Sequence, residues 1–318
     1  MKSFNLVDEP WITTNRGVLS LRALFQESGT ISLQESAIDR FCLLRFLIAV
    51  CQAACPLETE EEWDELDDDG LKAAVLQYLE KKKELFDLYD PERPFLQYPG
   101  IRSLKEEKAL PVAAYVPGTS SGNTTVVFEN NCQRKMDDAA KAKLILQQCI
   151  MPFSGKKIDP AIIVMPGFQK GKSAPVSPAL GQRGLLHTFA LGKTFFETLR
   201  LAMMTDELLE EVAYVDEIGV APWEQMPQED DAVARRLVRS VYGRLIPMTR
   251  FCRIDGERLH STSGVTMPPV MTGHVDFTAT VGTAMDPKKQ TYKVLPARVQ
   301  MQPWRQLEAI LNFCVPKP

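Results

Sequence analysis

Residues Ser32–Ala54, SLQESAIDRFCLLRFLIAVCQAA, form the stretch that decides the fold. Ser32 and Glu35 fit the S-x-x-E pattern of a capping box, which predicts a helix start. Apolar residues then crowd all sides of the second half of the stretch, which is typical of a buried helix. Pro56 follows and ends the helix. The stretch therefore predicts the core of an N-terminal helical lobe that covers about residues 30–90.

Beyond this lobe, short strands alternate with helices and long loops over about residues 100–318. This pattern fits neither a doubly wound α/β protein nor a sandwich, and it predicts an irregular α+β domain with short antiparallel strands. Further helices are predicted at Gly70–Phe86, Asp137–Cys149, Leu185–Met204, Asp206–Tyr214 and Ala232–Tyr242, and strands within 113–130, at 161–165, and in RLIPMTRFCRI, HVDFTATV and QTYKVLP, with GERLHSTSG as a hydrophilic loop.

The overall charge limits the kind of partner that the chain can bind. It has 318 residues with 37 Lys and Arg against 41 Asp and Glu, a net charge of −4. This balance excludes a generally basic nucleic-acid coat, so any nucleic-acid binding must be local. The N-terminus has no apolar signal segment, and the longest apolar run, Phe41–Cys55, is too short to span a bilayer. We therefore expect a cytoplasmic protein with no membrane contact.

Metal and cofactor chemistry finds little support in the sequence. The seven cysteines include no CxxC pair, and their odd number indicates free thiols in a reducing compartment. The three histidines, His187, His260 and His274, are widely spaced. His187 is expected to be structural, at the start of an amphipathic helix, and His260 to be exposed. We expect no bound metal and no cofactor.

One stretch, Met151–Lys193, differs in charge from the rest of the chain. It holds six Lys and Arg residues and one acid, so its local charge is +5. Six glycines allow close approach of the backbone to a ligand, and Pro160, Pro166, Pro175 and Pro178 interrupt regular structure. A basic, glycine-rich loop in an acidic protein is typical of an anion-binding surface, although composition alone is equally compatible with a simple surface loop.

The strand AIIVM followed by GFQKGKS resembles a phosphate-binding loop of a nucleotide hydrolase, but its spacing is wrong. Gly167 and Gly171 enclose three residues, whereas the Walker pattern requires four. Pro175 and Pro178 also exclude the helix that must follow. No nucleophile elbow or acid–base pair is visible elsewhere, so we expect a non-catalytic binding protein. Glycine amides and Lys or Arg would hold phosphates, Phe168 could stack or wedge, and Gln169 could read base edges.

Several stretches in order resemble the large subunit (CasA) of the type I-E CRISPR Cascade surveillance complex. They extend over nearly the whole chain and comprise NLVDEPWI, the helix SLQESAIDRFCLLRFLIAVCQAACP, FDLYDPERPFLQ, GNTTVVFENN, PGFQKG, GQRGLLHTFALGKTFFETLRLAMM, VYGRLIPMTRF and PWRQLEAI. Each motif is weakly specific alone, and their order carries the resemblance.

The resemblance implies that the chain recognises the protospacer-adjacent motif (PAM) in double-stranded target DNA and helps to start the R-loop. The residues matching the PAM-binding region are Gly167, Phe168, Gln169, Lys170, Gly171, Lys172 and Arg183, and those matching the loop that faces guide RNA and DNA are Phe128 and Asn130. The implied partners are the crRNA, target DNA, the backbone, 5′-handle-binding and small Cascade subunits, and a recruited nuclease-helicase or nuclease module.

The sequence also departs from the family pattern. Gln169 and Lys170 stand where the family loop is almost all glycine. The family's lysine finger has no clear counterpart, and Arg253 and Arg258 are candidates for it. The chain ends before the family's glutamine wedge and C-terminal four-helix bundle, so residues 1–318 are expected to form the N-terminal domain alone. Two alternatives remain: a scaffold for the crRNA 5′ handle and partner subunits, or a short large subunit working with a fused or associated nuclease module.

Overall fold

A computed structural model of the chain describes residues 2–98, 101, 109–112, 135–152, 187, 189–210, 215–227 and 232–265, and the backbone of 281–286 and 291–294. Within these ranges the strands are β1 (Ile12–Thr14), β2 (Gly17–Leu19), β3 (Leu110–Pro111), β4 (Arg250–Asp255), β5 (Arg258–Ser263), β6 (Val281–Asp286) and β7 (Thr291–Val294). The helices are α1 (Leu21–Gln26), α2 (Ala37–Ala54), α3 (Glu60–Glu65), α4 (Asp68–Lys81), α5 (Asp138–Ile150), α6 (Phe195–Arg200), α7 (Asp206–Leu209), α8 (Ala232–Val238) and α9 (Val241–Leu245), and a 3₁₀ turn spans Lys83–Phe86.

The strands form small, separate antiparallel sheets. β1 pairs with β2, β6 pairs with β7, and the three-stranded sheet has the order β3-β5-β4. Helices dominate the rest of the described chain. The predicted α+β class, with a helical N-terminal part and short antiparallel strands, is therefore confirmed. None of the helices in the described ranges is long and apolar enough to cross a membrane.

Helix α2 is the central element of the core, as the sequence predicts. It packs against α4, α5, α6 and α9, and most of its second half is buried. The predicted capping box is wrong, because the helix begins at Ala37 with Ser36 as its N-cap. Glu35 instead accepts hydrogen bonds from the Thr13 backbone N at 2.7 Å and the Lys143 Nζ at 2.9 Å. The carboxylate therefore joins β1, α2 and α5 rather than capping its own helix.

The helix predicted at Leu185–Met204 is shorter in the structure. His187 forms an isolated bridge, and α6 begins only at Phe195. The Thr194 hydroxyl caps the Glu197 backbone N at 2.9 Å, and the Glu197 carboxylate accepts from the backbone N of Lys193. A Cβ at Gly192 would lie 2.6 Å from the Glu197 Cγ, so the loop that folds back onto α6 requires glycine at this position. These caps fix the helix start ten residues later than predicted.

Two further helices end earlier than the apolar pattern predicts. The described part of the predicted 206–214 helix is α7, which ends at Leu209. The predicted 232–242 helix is divided into α8 and α9 at Ser240. The Ser240 Oγ donates to the Leu237 carbonyl at 3.0 Å and accepts from the Gly243 N at 3.1 Å, so one hydroxyl closes the first helix and caps the second.

Strand β5 is a feature that the sequence prediction missed. Its residues were expected to form a hydrophilic loop, but they pair with β4 over the full length of both strands. The two-residue turn Gly256-Glu257 joins the strands, and Gly256 has φ +57°, as the first position of a type II′ turn requires. His260 therefore lies on a strand opposite Arg253 instead of in a loop.

The buried apolar residues of the described chain form one continuous cluster. At its centre the Phe46 ring lies 6.0 Å from Trp11, 5.6 Å from Phe95 and 5.7 Å from Trp223, measured between centroids. Phe46 is fully buried on α2. Trp11 belongs to the N-terminal hairpin, Phe95 to the 94–97 turn and Trp223 to the 221–226 turn. The aromatic cluster thus joins these three parts of the chain around the central helix.

Five free cysteines also lie within this core: Cys42, Cys51, Cys55, Cys149 and Cys252. Burial raises the pKa of the Cys55 thiol to about 11 and that of Cys42 and Cys51 still further. Because the thiolate is the reactive form, we expect a maleimide at pH 7 to leave these five unmodified in the native protein and to label them all in guanidinium. Peptide mass spectrometry would test this, and fast native labelling at Cys51 would contradict it.

Candidate nucleic-acid interface

All nine predicted site residues lie outside the described residues. Phe128 and Asn130 belong to the segment 113–134, and Gly167, Phe168, Gln169, Lys170, Gly171, Lys172 and Arg183 belong to the segment 153–186. The structure instead shows the contacts of the residues that border each segment, which we call the framework.

Helix α5 stands between the two segments. The segment 113–134 reaches its N-terminus and the segment 153–186 follows its C-terminus. The 13 residues of α5 give a length of about 20 Å at about 1.5 Å per residue. The two candidate nucleic-acid segments therefore attach to opposite ends of one helix.

At the N-terminal end, α5 is held by the turn of the β4–β5 hairpin. The Lys141 Nζ donates to Glu257 Oε1 at 2.7 Å and to the Gly256 carbonyl at 3.1 Å, although the Lys141 side chain is only 2% exposed. This ammonium holds the pKa of the Glu257 carboxyl below its usual range. The Val112 N also donates to the Glu257 carbonyl at 2.9 Å. Val112 precedes segment 113–134 and α5 follows that segment. Both are thus bonded to the Gly256-Glu257 turn.

Asp138 adds a second anchor at this end. Its Oδ1 accepts from the Lys2 Nζ at 2.6 Å and from the Tyr89 hydroxyl. Burial, with a further contribution from the Asp138 hydrogen bond, raises the pKa of Tyr89 to about 12. The N-terminus of the chain and the turn after α4 are therefore both tied to the first turn of α5.

At the C-terminal end, Thr249 closes the helix. Its backbone N donates to the Cys149 carbonyl at 3.0 Å, and its Oγ1 lies 3.0 Å from the Gln148 carbonyl and 3.1 Å from that of Cys149. These carbonyls would otherwise have no partner within the helix. Gly264 N donates to the Thr249 carbonyl at 2.9 Å and Val265 N to that of Met248 at 2.8 Å. Segment 153–186 therefore starts from a firmly bonded junction.

The other end of segment 153–186 returns to α2 at His187. The His187 ring lies 4.6 Å from that of Phe41, and Phe189 lies 6.0 Å from the same ring in an edge-on arrangement. The Arg45 guanidinium is 5.4 Å from the Phe41 centroid, and its Nε donates to the Leu245 carbonyl at 2.9 Å. His187 is thus an anchor for the returning chain, which agrees with the structural role expected for it.

Many basic side chains in the described ranges are already neutralised by acids. Arg236 makes a two-point contact with Glu217, with both N–O distances 2.7 Å, and Arg239 pairs with Asp216. Arg236 lies on α8, and Arg239 directly follows that helix. Other lysines and arginines in ion pairs are Lys2, Arg22, Lys72, Lys82, Lys83, Lys141 and Lys143. By contrast, segment 153–186 contains five basic residues and one acid.

Within the described ranges, no group of three His, Cys, Asp or Glu residues could hold a metal ion. The framework residues Lys141, Glu257 and Thr249 were not singled out in the sequence. Their partners lie about a hundred residues away along the chain. One local signal could have identified Lys141 as a buried, paired cation, namely its position at the start of the mostly apolar helix stretch KAKLILQQCI.

The architecture is that of an irregular α+β protein that presents long segments from the ends of a buried helix. The chain belongs to the family of the CRISPR-associated protein Cse1, which it matches over residues 5–317. This confirms the resemblance to CasA. A curated relative, the CRISPR-associated protein CasA/Cse1 of Thermus thermophilus, is 29% identical over 245 residues, which cover 71% of this chain and 43% of the relative.

Solved structures show the same fold. The Cse1 crystal structure from Thermobifida fusca has a TM-score of 0.67 at 21% identity, covering 96% of this chain and 61% of that one. A chain of a CRISPR RNA-guided surveillance complex has a TM-score of 0.68 at 20% identity, covering 97% of this chain and 65% of that one. The chain therefore spans less than two thirds of the length of these relatives.

Proposed function

We propose that this chain is a non-catalytic, cytoplasmic subunit of a type I-E Cascade surveillance complex that recognises the PAM in double-stranded target DNA and helps to start the R-loop. Family membership over residues 5–317 supports the proposal most strongly. The concentration of unbalanced positive charge in segment 153–186 agrees with it. Residues 1–318 would act as a single N-terminal domain.

The proposed DNA contacts follow from the chemistry of segment 153–186. Backbone amides at Gly167 and Gly171 can approach phosphates closely, while Lys170 and Lys172 supply positive charge. Phe168 can wedge against a base step, and Gln169 can donate to or accept from base edges. Arg183 adds a further cation from the same segment. Guide pairing would read the remaining target sequence, a division of labour known for RNA-guided effectors.

The segment 113–134 would contact the guide RNA through Phe128 and Asn130. Its attachment at the opposite end of α5 from segment 153–186 allows the two contacts to be made separately. The partners are then the crRNA, the target duplex and the other Cascade subunits, with a nuclease-helicase or nuclease module recruited after binding. If segment 113–134 alone binds nucleic acid, the protein is a scaffold that reads no DNA.

The double substitution Lys170→Ala/Lys172→Ala tests the proposal in the assembled complex. Each lost phosphate contact removes about 0.9 from the slope of log affinity against log salt, so two contacts correspond to about 60-fold weaker duplex binding at about 0.1 M salt. Gel shifts across a salt series would measure both effects. Co-purification with guide RNA and partner subunits should remain at the wild-type level.

The control is Arg16→Ala/Lys81→Ala, which removes the same charge from exposed positions on the described surface. Duplex binding should then change less than two-fold. Wild-type binding by the Lys170/Lys172 variant would contradict DNA recognition by this segment. Loss of guide RNA from a Phe128→Ala/Asn130→Ala variant in the same experiment would then support the scaffold alternative.

A further inference from the structure

We infer that a crevice beside the C-terminal end of α2 is a docking site for a basic segment of another protein, which inserts an arginine side chain against Asp206. The crevice lies between the end of α2, the first residue of α7 and the stretch 218–221, and it encloses about 280 Å³. The inference rests on the proposed function in one respect only, namely that the chain works in a complex with other proteins.

The α2 side of the crevice is held in place by hydrogen bonds to the residues around the start of α7. The Gln52 amide exchanges two hydrogen bonds with the Met204 backbone, with N–O distances of 2.9 and 2.8 Å. Asp206 N donates to the Leu57 carbonyl at 3.1 Å. Gln52, Leu57 and Asp206 all line the crevice. A site that is already formed loses little conformational entropy when it binds a partner.

The opposite wall is also fixed, and it is apolar at its rim. Gly219 has φ +84°, and a Cβ at this position would lie 2.5 Å from the Ser240 Cβ, so this stretch packs directly on the residue that caps α9. The neighbouring Val220 lines the crevice and is 37% exposed. An exposed valine between fixed neighbours offers apolar area to the aliphatic part of an incoming side chain.

Two carboxylates are the charged groups among the described residues that line the crevice. That of Glu224 accepts hydrogen bonds from the Tyr78 hydroxyl at 2.6 Å and from the Lys82 Nζ at 2.9 Å, so it is already neutralised. That of Asp206 has no hydrogen-bond or ion-pair partner among the described residues. One open carboxylate supplies too few oxygen ligands for a divalent cation. The crevice therefore fits a single side chain that carries a positive charge.

The surface next to the crevice on the side of α3 and α7 is acidic. Glu207 N donates to the Glu58 carbonyl at 3.0 Å, and Glu60 N donates to Glu207 Oε2 at 3.0 Å, so the two short helices lie side by side. The exposed acids of this surface that form no ion pair with another described residue are Glu58, Glu60, Glu61, Glu207 and Glu210. Such a surface repels the phosphates of nucleic acids and attracts a basic protein segment.

Arginine fits the crevice better than lysine. Its aliphatic stem can cover Leu57 and Val220, while its charged end stays at the rim. Its planar guanidinium can donate two parallel hydrogen bonds to the Asp206 carboxylate, which an ammonium cannot do. Arginine is also enriched among the residues that contribute most to protein–protein binding. The occupant is therefore an arginine with further basic residues beside it, carried by a partner protein.

Site-specific photo-crosslinking in the purified, assembled complex identifies the occupant. A small diazirine amino acid replaces Val220, and crosslinked peptides are sequenced by mass spectrometry, with and without target duplex and the purified nuclease module. We expect a crosslink to a partner-protein peptide that contains an arginine and further Lys or Arg residues. A crosslink to nucleic acid alone, to this chain alone, to a peptide without arginine, or to nothing in every mixture would overturn the docking site.

Charge substitutions then measure the contact with that partner, titrated onto a complex assembled without it. Asp206→Asn should weaken binding by about 10-fold, since the charge-assisted hydrogen bonds are lost. Asp206→Arg should weaken it by about 100-fold, because two like charges then face each other. Glu9→Arg is the matched control, because it reverses an exposed acid that lies before β1. It should stay within about two-fold of wild type, since it leaves the crevice unchanged.

A charge exchange completes the test. Replacing the crosslinked arginine of the partner with aspartate should restore binding to Asp206→Arg and weaken binding to the wild-type chain. Equal effects of Asp206→Arg and Glu9→Arg, or no recovery on exchange, would contradict the inference. If Asp206→Arg does not fold, the comparison of Asp206→Asn with wild type decides. Wild-type duplex binding by the Lys170→Ala/Lys172→Ala variant would contradict the proposed function instead and leave the Val220 crosslink unchanged.

Discussion

Replacing Phe46 with alanine is expected to lower the free energy of unfolding by about 4 kcal/mol, within the range for deletion of a fully buried aromatic side chain. The ring touches three other aromatic residues from three separate parts of the chain, Trp11, Phe95 and Trp223. Its removal leaves a cavity that these large, interlocked rings cannot easily fill. Guanidinium unfolding followed by tryptophan fluorescence measures the loss and reports on the same cluster.

Phe46→Leu is the matched control, because it keeps most of the apolar volume and removes only the aromatic contacts. We expect it to cost about 1 kcal/mol, since such pairs contribute about 0.5–1.5 kcal/mol beyond their burial. Equal losses for the alanine and leucine variants would show that ring geometry, rather than cavity formation, controls stability at this position.

Gly264→Ala is expected to be nearly as damaging, at about 3 kcal/mol, through a different physical cause. A Cβ at this position would lie 2.0 Å from the Met248 carbonyl O and 2.9 Å from the Arg250 N, which are both backbone atoms. The chain after β5 can accommodate it only by moving away, which breaks the hydrogen bonds of Gly264 N and Val265 N, each contributing about 1 kcal/mol. Thermal unfolding of the purified chain would measure the effect.

Gly256→Ala, in the turn of the same hairpin, provides the comparison. Nothing lies within 4 Å of a Cβ there, so only the positive φ of +57° opposes the substitution. The expected cost is about 1–2 kcal/mol. A greater loss at Gly256 than at Gly264 would indicate that backbone conformation outweighs the close approach at the base of the hairpin.

The sequence alone predicts the position of the main helices but not all of their ends. Helix α2 and α5 are found within one to five residues of prediction, because long apolar patterns determine them. The capping box failed because Glu35 has two distant partners, Thr13 and Lys143, that offer better hydrogen bonds. A local motif contains no information about such competition.

Strand β5 shows the same limitation of local patterns, because here an element forms that its own sequence does not predict. RLHSTS contains one strongly apolar residue, Leu259, and therefore lacks the alternation that identifies a strand. It becomes a strand because β4 and the Gly256 turn place it in register with a partner. Pairing across a hairpin and with β3 supplies the hydrogen bonds that its own side chains do not predict.

For the candidate site, sequence and structure contribute different parts. The charge and glycine content of segment 153–186, and the family motifs, are local properties that can be recognised directly in the chain. The framework is not local, since Lys141 and Thr249 act on partners more than ninety residues away. The sequence therefore indicates which segment is a candidate for binding. The structure shows which contacts hold the residues that border it.

The attachment of both segments to the ends of α5 also has an evolutionary consequence. The anchors that border residues 153–186, namely α5, Thr249 and the Phe41–His187 contact, all lie outside that range. If these residues bind DNA as we propose, their exchange between relatives would change recognition while the bordering anchors stay the same. The same partition makes residues 153–186 a natural unit for grafting from one relative to another.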